Sequence, residues 1–195
     1  MRPTCPLGAL LLGLALASAA PAARGQTPPP SSSAASATVR ARLQGTYVLL
    51  RGESAVGTRD AAIDSSVESL FFAARPIARH LLRDRCRIDT AITLRIADGV
   101  IRASTPENTV VVSREDGSWS TYKYGSEVFQ LAQKLTPAGL VQTFVGPDGT
   151  RRNDFTLSDD GTTLTLHVNL MGPQLPRPVA YVLEYKRVTE LGFRE

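Results

Sequence analysis

Between Leu43 and Arg187 apolar and polar residues alternate in short runs separated by tight turns. Ile92, Leu94 and Ile96 share one face against Thr93 and Arg95. Leu164, Leu166, Val168 and Leu170 oppose Thr163, Thr165, His167 and Asn169, and Val179, Tyr181, Leu183 and Tyr185 oppose Glu184 and Lys186. Period two of this kind turns one face of a strand inward and the other outward. Asp-Gly pairs at 98–99, 116–117, 148–149 and 160–161 punctuate the runs, and each offers the positive φ that a tight hairpin needs. The pattern predicts strands over 43–50, 91–97, 100–104, 108–113, 118–124, 127–135, 140–146, 150–157, 162–170 and 179–187.

One stretch follows a different period. Ile63, Val67, Leu70, Phe71, Ala74, Ala78 and Leu81 recur at three- and four-residue steps, a single helical stripe. Pro76 interrupts it and pushes Arg75 away from helical angles, which predicts two helices, over 60–74 and 76–85. Sequential strands joined by short turns become neighbours. The expected fold is mainly β: a single up-and-down antiparallel β-barrel of about ten strands, with a helical pair inserted after strand one and no helices elsewhere.

The N-terminal segment has another character. Arg2 precedes an apolar run from Leu7 to Ala19 and small-residue sites at 17–19 and 20–22, the pattern of a cleavable export signal over residues 1–22. The run is short of the ~20 apolar residues of a membrane span, and Cys5 lies before it, not at a lipoprotein cleavage point. Pro, Ser and Ala dominate 23–38, the composition of a disordered linker, so the barrel domain is expected over 39–190. The chain is read as exported, periplasmic or secreted. Loss of the signal takes one arginine and no acid from a net charge of +4, too mild a balance to indicate a nucleic-acid partner. Cys86 then stands as the single cysteine, unable to form an internal disulfide and expected to be a structural thiol.

Candidate chemistry is sparse. The chain has two histidines, His80 and His167, and lacks the G-x-S-x-G, P-loop and zinc-spacing signatures. His80 precedes Asp84 by four residues, an ordinary helix-surface pair, and His167 sits on a solvent face. The expectation is a non-enzyme without metal or cofactor. The stronger signal is geometric, because a barrel of eight strands already holds a small ligand and this chain has one Trp and six Phe to plug a larger one. Polar residues share the parity of apolar ones: Gln142 with Leu140 and Phe144; Arg151 and Asn153 with Phe155 and Leu157; Tyr181 and Tyr185 with Leu183. An apolar wall with a few convergent polar groups is the usual make-up of a small-molecule pocket. The candidate ligand-binding set is therefore Tyr181, Leu183, Tyr185, Gln142, Phe144, Arg151, Asn153 and Phe155, with Phe71 facing the barrel mouth beside Leu70. The alternative places Arg151 at a barrel end and lets Gln142 and Asn153 satisfy each other.

In order and spacing of elements, residues 43–188 resemble the fatty-acid-binding proteins, the intracellular lipid-binding branch of the calycins, here in an exported chain of bacterial type. Gly45-Thr46-Tyr47 stands where that family has Gly-x-Trp, and Gly139-Leu140-Val141-Gln142 and Tyr185-Lys186-Arg187-Val188 are further echoes. The resemblance implies a lipocalin-like barrel that binds a hydrophobic, lipid-like molecule under a helical lid. Tyr185 matches the tyrosine of the family's carboxylate-holding Arg-x-Tyr pair, Leu183 stands at the arginine position, and the second family arginine falls near Thr156. A neutral or weakly polar cargo is therefore expected, with Arg151 the residue able to anchor an acid. The family's basic lid helices imply transient contact of Arg75, Arg79 and Arg83 with an anionic membrane; a solvated face is the other reading. The functional expectation is an exported carrier of a hydrophobic small molecule, against a structural or partner-binding barrel with a filled interior and no ligand.

Overall fold

In the computed structural model, residues 32–107 and 109–188 are described. They form three helices and ten strands: α1 (Ser32–Leu43), β1 (Gly45–Leu49), α2 (Gly52–Val67), α3 (Arg75–Arg85), β2 (Ala91–Ala97), β3 (Val100–Ser104), β4 (Val110–Arg114), β5 (Ser120–Tyr124), β6 (Glu127–Thr136), β7 (Gly139–Gly146), β8 (Gly149–Leu157), β9 (Thr163–Met171) and β10 (Val179–Val188). Every expected strand is present, with ends shifted by no more than two residues. The expected signal over 1–22, the linker up to residue 31 and residues 189–190 lie outside the described residues.

The strands make one antiparallel sheet in the order β4-β3-β2-β1-β10-β9-β8-β7-β6-β5. Pairing of β1 with β10 joins the two ends of the strand sequence. The edge strands β4 and β5 form no ladder with each other. Closure comes just beyond β4, where Asp116 bridges Lys134 of β6. There Gly117 N–H donates to the Gln133 carbonyl (2.9 Å) and Leu135 N–H to that of Glu115 (3.0 Å). The result is a nearly closed barrel.

Two of the glycine positions show what the turns require. At 98–99 both residues have positive φ (52° and 74°), as a two-residue hairpin between β2 and β3 needs. At 148–149 the turn is Pro147-Asp148 instead, because Gly146 and Gly149 are register partners. Gly149 opens β8, where a Cβ would lie 2.1 Å from the Met171 carbonyl oxygen.

The helices depart from expectation in three ways. A helix, α1, precedes β1 and occupies part of the segment read as a tether. Alanines at 34, 35 and 37 favour it, and its C-terminal half docks: Leu43 is buried, Val39 packs on the core, and Arg40 pairs with Glu115. Helix α2 begins at Gly52, not 60, because Ala55 lies on the same buried face as Ile63 and Val67. It also ends at Val67, not 74, and the chain then turns through Leu70 and Phe71 before Pro76 starts α3 at its first turn.

The topology sorts the ends of the barrel. Connections into α2, out of α3, and between β3–β4, β5–β6, β7–β8 and β9–β10 share one end; α1 and the remaining hairpins share the other. The α1 end is filled by fully buried Leu43, Tyr47, Leu94, Ile101, Leu131, Leu140 and Leu164. Tyr47 donates its hydroxyl to the Leu43 carbonyl (2.9 Å), and Arg187 lies over its ring. Helix α2 packs against β10, and Ser66 Oγ reaches the Arg177 carbonyl at 2.6 Å. No helix among the described residues is long and apolar enough to cross a membrane.

Candidate functional site

Leu140, Gln142, Phe144, Arg151, Asn153 and Phe155 share the inward parity of β7 and β8, and the registers bring them together. Phe144 faces Arg151, Gln142 faces Asn153, and Leu140 faces Phe155 across β7 and β8. All but Leu140 line a cavity of about 760 Å³ at the lid end, within the ~300–1,000 Å³ typical of small-molecule sites.

Its roof is α3 and the turn before it, through Leu70, Ala74, Ile77, Ala78, Leu81 and Leu82. Ile77 and Leu81, largely uncovered by protein, are the apolar side chains that a bound chain would bury. An aromatic wall comes from Tyr122, Phe129 and Phe144, with Tyr122 5.7 Å from Phe144 and 6.4 Å from Phe129 between ring centroids. Gly146 makes room for it, since a Cβ there would stand 2.6 Å from Phe129.

The polar part of the interior is one continuous chain. Arg151 Nε donates to Asn153 Oδ1 (3.0 Å), Asn153 Nδ2 to Gln142 Oε1 (2.8 Å), and Gln142 Nε2 to Gln133 Oε1 (3.1 Å). Gln133 Nε2 ends the chain on Ser113 Oγ (3.0 Å) and the Ile101 carbonyl (3.2 Å). Gln133, Gln142 and Asn153 occupy one register level across three adjacent strands, which lets buried amides satisfy each other. Every amide points its oxygen toward Arg151. Arg151 Nη1 also donates to the Arg85 carbonyl at the end of α3 (3.0 Å). Gln142 and Asn153 thus bond to each other and border the cavity at the same time.

Three of the candidate residues sit elsewhere. Tyr181, Leu183 and Tyr185 are inward and buried, but they do not line the cavity. The Tyr181 hydroxyl donates to the Cys86 carbonyl (3.4 Å) and that of Tyr185 to the Asp89 carbonyl (3.1 Å). They fix the connector from α3 to β2, and burial holds both phenols well above their ordinary range. Tyr185 is thus committed to the backbone and is not the ligand donor the sequence suggested. Phe71 does not face the barrel mouth either: it is 70% exposed, packs against the tilted ring of Phe72 (centroids 4.7 Å apart), and lies outside the cavity lining. Because α2 stops at Val67, the helical phase that aimed Phe71 at the barrel is lost; Leu70 takes that place.

The arginine row of α3 is tied to α2 and to the turn between the two helices. Arg79 pairs with Asp64 (2.5 Å), Arg83 with Asp60 (3.2 Å), and Arg75 Nε donates to the Leu70 carbonyl (2.9 Å). At the C-terminus of α3, Arg85 pairs with Glu127 of the β5–β6 hairpin and with Asp148 of the β7–β8 turn (3.1 Å). Arg87 pairs with Glu107 beside β4. The lid is therefore latched to three hairpin tips.

Asp89, which no sequence pattern singled out, also lines the cavity. Burial raises its carboxyl above the usual range, while Arg151, Arg87 and the Thr105 hydroxyl oppose the rise. Cys86 is buried, and burial pushes its thiol up, as expected of a structural cysteine. His80 pairs with Asp84 at 3.8 Å on the helix surface, and His167 is exposed. Among the described residues no cluster of three or more His, Cys, Asp or Glu can hold a metal ion.

No family model and no curated protein matches the chain. Solved structures with similar backbones include the fatty acid transporter REP1-NXSQ (16% identity, 76% of this chain and 98% of that one, TM-score 0.46). Fatty-acid-binding protein 1 of Echinococcus granulosus gives 11% identity, 76% and 99% coverage, and a TM-score of 0.47. A Schistosoma mansoni fatty acid binding protein in complex with arachidonic acid gives 15%, 77% and 99%, and 0.45. These neighbours are fatty-acid-binding proteins, the group that the order of elements resembles. With TM-scores below 0.5 the likeness carries no weight for this chain's ligand; the barrel rests on its own strand order and registers.

Proposed function

We propose that this protein is an exported, non-enzymatic carrier that holds a hydrophobic small molecule in the cavity beneath α3. The observation that supports this reading most is the cavity of about 760 Å³, roofed by Ile77 and Leu81 and walled by Tyr122, Phe129 and Phe144. Uncovered apolar side chains in a lidded space gain ~0.8 kcal/mol per methylene when a chain buries against them. A structural barrel with a filled interior accounts for the α1 end only. Export rests on the composition of residues 1–22. The exposed Phe71–Phe72 pair supports loading by transient contact with a membrane. Arg75, Arg79 and Arg83 would add attraction for anionic lipid only in so far as Asp60 and Asp64 leave their charge uncompensated, and nothing in the mild charge calls for nucleic acid. The test is mass spectrometry of organic extracts after mild purification. A stoichiometric apolar compound is expected; extracts free of one, with no uptake of an added apolar fluorophore, would refute the reading.

A further inference from the structure

The carrier reading leaves the polar end of the cargo unassigned, and any assignment of that end rests on the carrier reading. Seven charged residues line the cavity. Four of them are ion-paired at the rim, Arg85 with Glu127 and Asp148 and Arg87 with Glu107, and a fifth, Asp84, lies 3.8 Å from His80 on the helix surface. The two that remain are Arg151 and Asp89. Among the described residues, neither has an opposite charge within 4.0 Å.

Each is nevertheless held in place. Arg151 is gripped by Asn153 through Nε and by the Arg85 carbonyl through Nη1, which leaves both Nη2 protons uncommitted. The three amides behind it turn their oxygens toward it, so its charge is stabilised by aligned dipoles and not by a counter-ion. Asp89 is anchored by the bond from the Tyr185 hydroxyl to its backbone carbonyl, and its side chain borders the cavity, where Arg151, Arg87 and the Thr105 hydroxyl act on the carboxyl. The two side chains sense each other, since Arg151 pulls the Asp89 carboxyl down against its burial. The frame thus keeps a donor and an acceptor of opposite charge in one apolar cavity without letting them close into an ion pair.

A carboxylate brought to Arg151 would also meet Asp89, and the interior would carry an uncompensated negative charge. An ester could accept from Arg151 but give nothing to Asp89. A hydroxyl or primary amide does both and leaves the interior neutral. We propose that Arg151 and Asp89 together read the polar end of the cargo, selecting an uncharged head that both accepts and donates hydrogen bonds on a long apolar chain.

The test uses hexadecanol, hexadecanamide, methyl hexadecanoate and hexadecanoic acid as competitors against an apolar fluorescent reporter. It is run on the wild-type protein, Asp89→Ala and Asp89→Asn. The wild type should prefer the alcohol and the amide to the ester by about tenfold or more, the size of one hydrogen bond to a charged group. Asp89→Ala should shrink that preference to about twofold and strengthen acid binding by about tenfold. Asp89→Asn, which keeps a hydrogen-bonding group and removes the charge, should gain the acid while keeping most of the preference for the alcohol. Tightest binding of the acid to the wild type, unchanged in both variants, would overturn the proposal. So would equal binding of all four heads, with the carrier reading intact. Failure of the reporter and every competitor to bind the wild type would instead remove the carrier reading, and the head-group site with it.

Discussion

Asn153→Leu probes the amide chain that floors the cavity. Asn153 is 5% exposed, Gln142 4% and Gln133 fully buried, so the bonds at 3.0 Å to Arg151 and 2.8 Å to Gln142 are made away from bulk water. Leucine has the same branched shape and heavy-atom count and opens no cavity, so the polar effect dominates. It strands the Gln142 oxygen, at ~1–3 kcal/mol for a buried unpaired acceptor, and removes an acceptor from a cation, worth ~1.5–3 kcal/mol. Water in the adjoining cavity can reach Arg151, and the added apolar burial returns ~1–2 kcal/mol, so the net loss should be ~2 kcal/mol. Urea unfolding at constant m-value measures it. Gln142→Leu in the same background completes a double-mutant cycle, and the two losses should fall short of additive by ~1 kcal/mol because they share one bond. A loss under ~0.5 kcal/mol with full additivity would refute the claim that the chain acts as a unit.

Three further outcomes are expected from the same geometry. Gly57→Ala should stabilise the protein by ~0.5–1 kcal/mol in thermal or urea unfolding, because Gly57 lies within α2 and a Cβ there meets nothing within 4 Å. Gly139→Ala should destabilise by more than ~3 kcal/mol, measured in the same way, because its φ is 149° and a Cβ would stand 1.9 Å from the Phe155 carbonyl oxygen. Arg85→Ala should speed release of an apolar fluorophore in stopped flow by severing the latch to Glu127 and Asp148. Arg85 holds the Glu127 carboxyl below its ordinary value. The Glu127 arm of the latch is therefore complete above the usual glutamate range of ~4.3 and is lost as pH falls below it through the lowered folded value. Release from the wild type should accelerate over that acidic window, and release from Arg85→Ala should not.

The barrel was legible because hairpins are local. Alternation and turn chemistry lie within a dozen residues of each other, and the inward parity of Gln142, Arg151, Asn153 and Phe155 followed from them. The α1 helix was not legible, since Ala34–Ala37 read like a tether and its docking depends on Leu43, Val39 and the distant Glu115. Depth within the barrel was also beyond reach of parity. Tyr181, Leu183 and Tyr185 face inward like Phe155, yet α2 packs over β10 while the space beneath α3 stays open, a difference set by helix packing. Phe71 was misplaced because the stripe continued in sequence after the helix had ended. Asp89 carried no signal at all, lying in a connector that only Tyr185 and Arg151 make meaningful.

The central claim, that the space beneath α3 is a binding cavity, is tested most directly by filling it. Ala103 on β3 lines the cavity and is buried, whereas Val112 on β4 points outward. Ala103→Trp and Val112→Trp place the same indole ring inside and outside the same barrel. In titrations with an apolar fluorophore, the wild type and Val112→Trp should each bind one molecule per barrel with matching affinity. Ala103→Trp, with its fold verified by circular dichroism, should bind at least about tenfold more weakly, a loss of ~1.4 kcal/mol. Equal affinity in all three proteins would contradict the account.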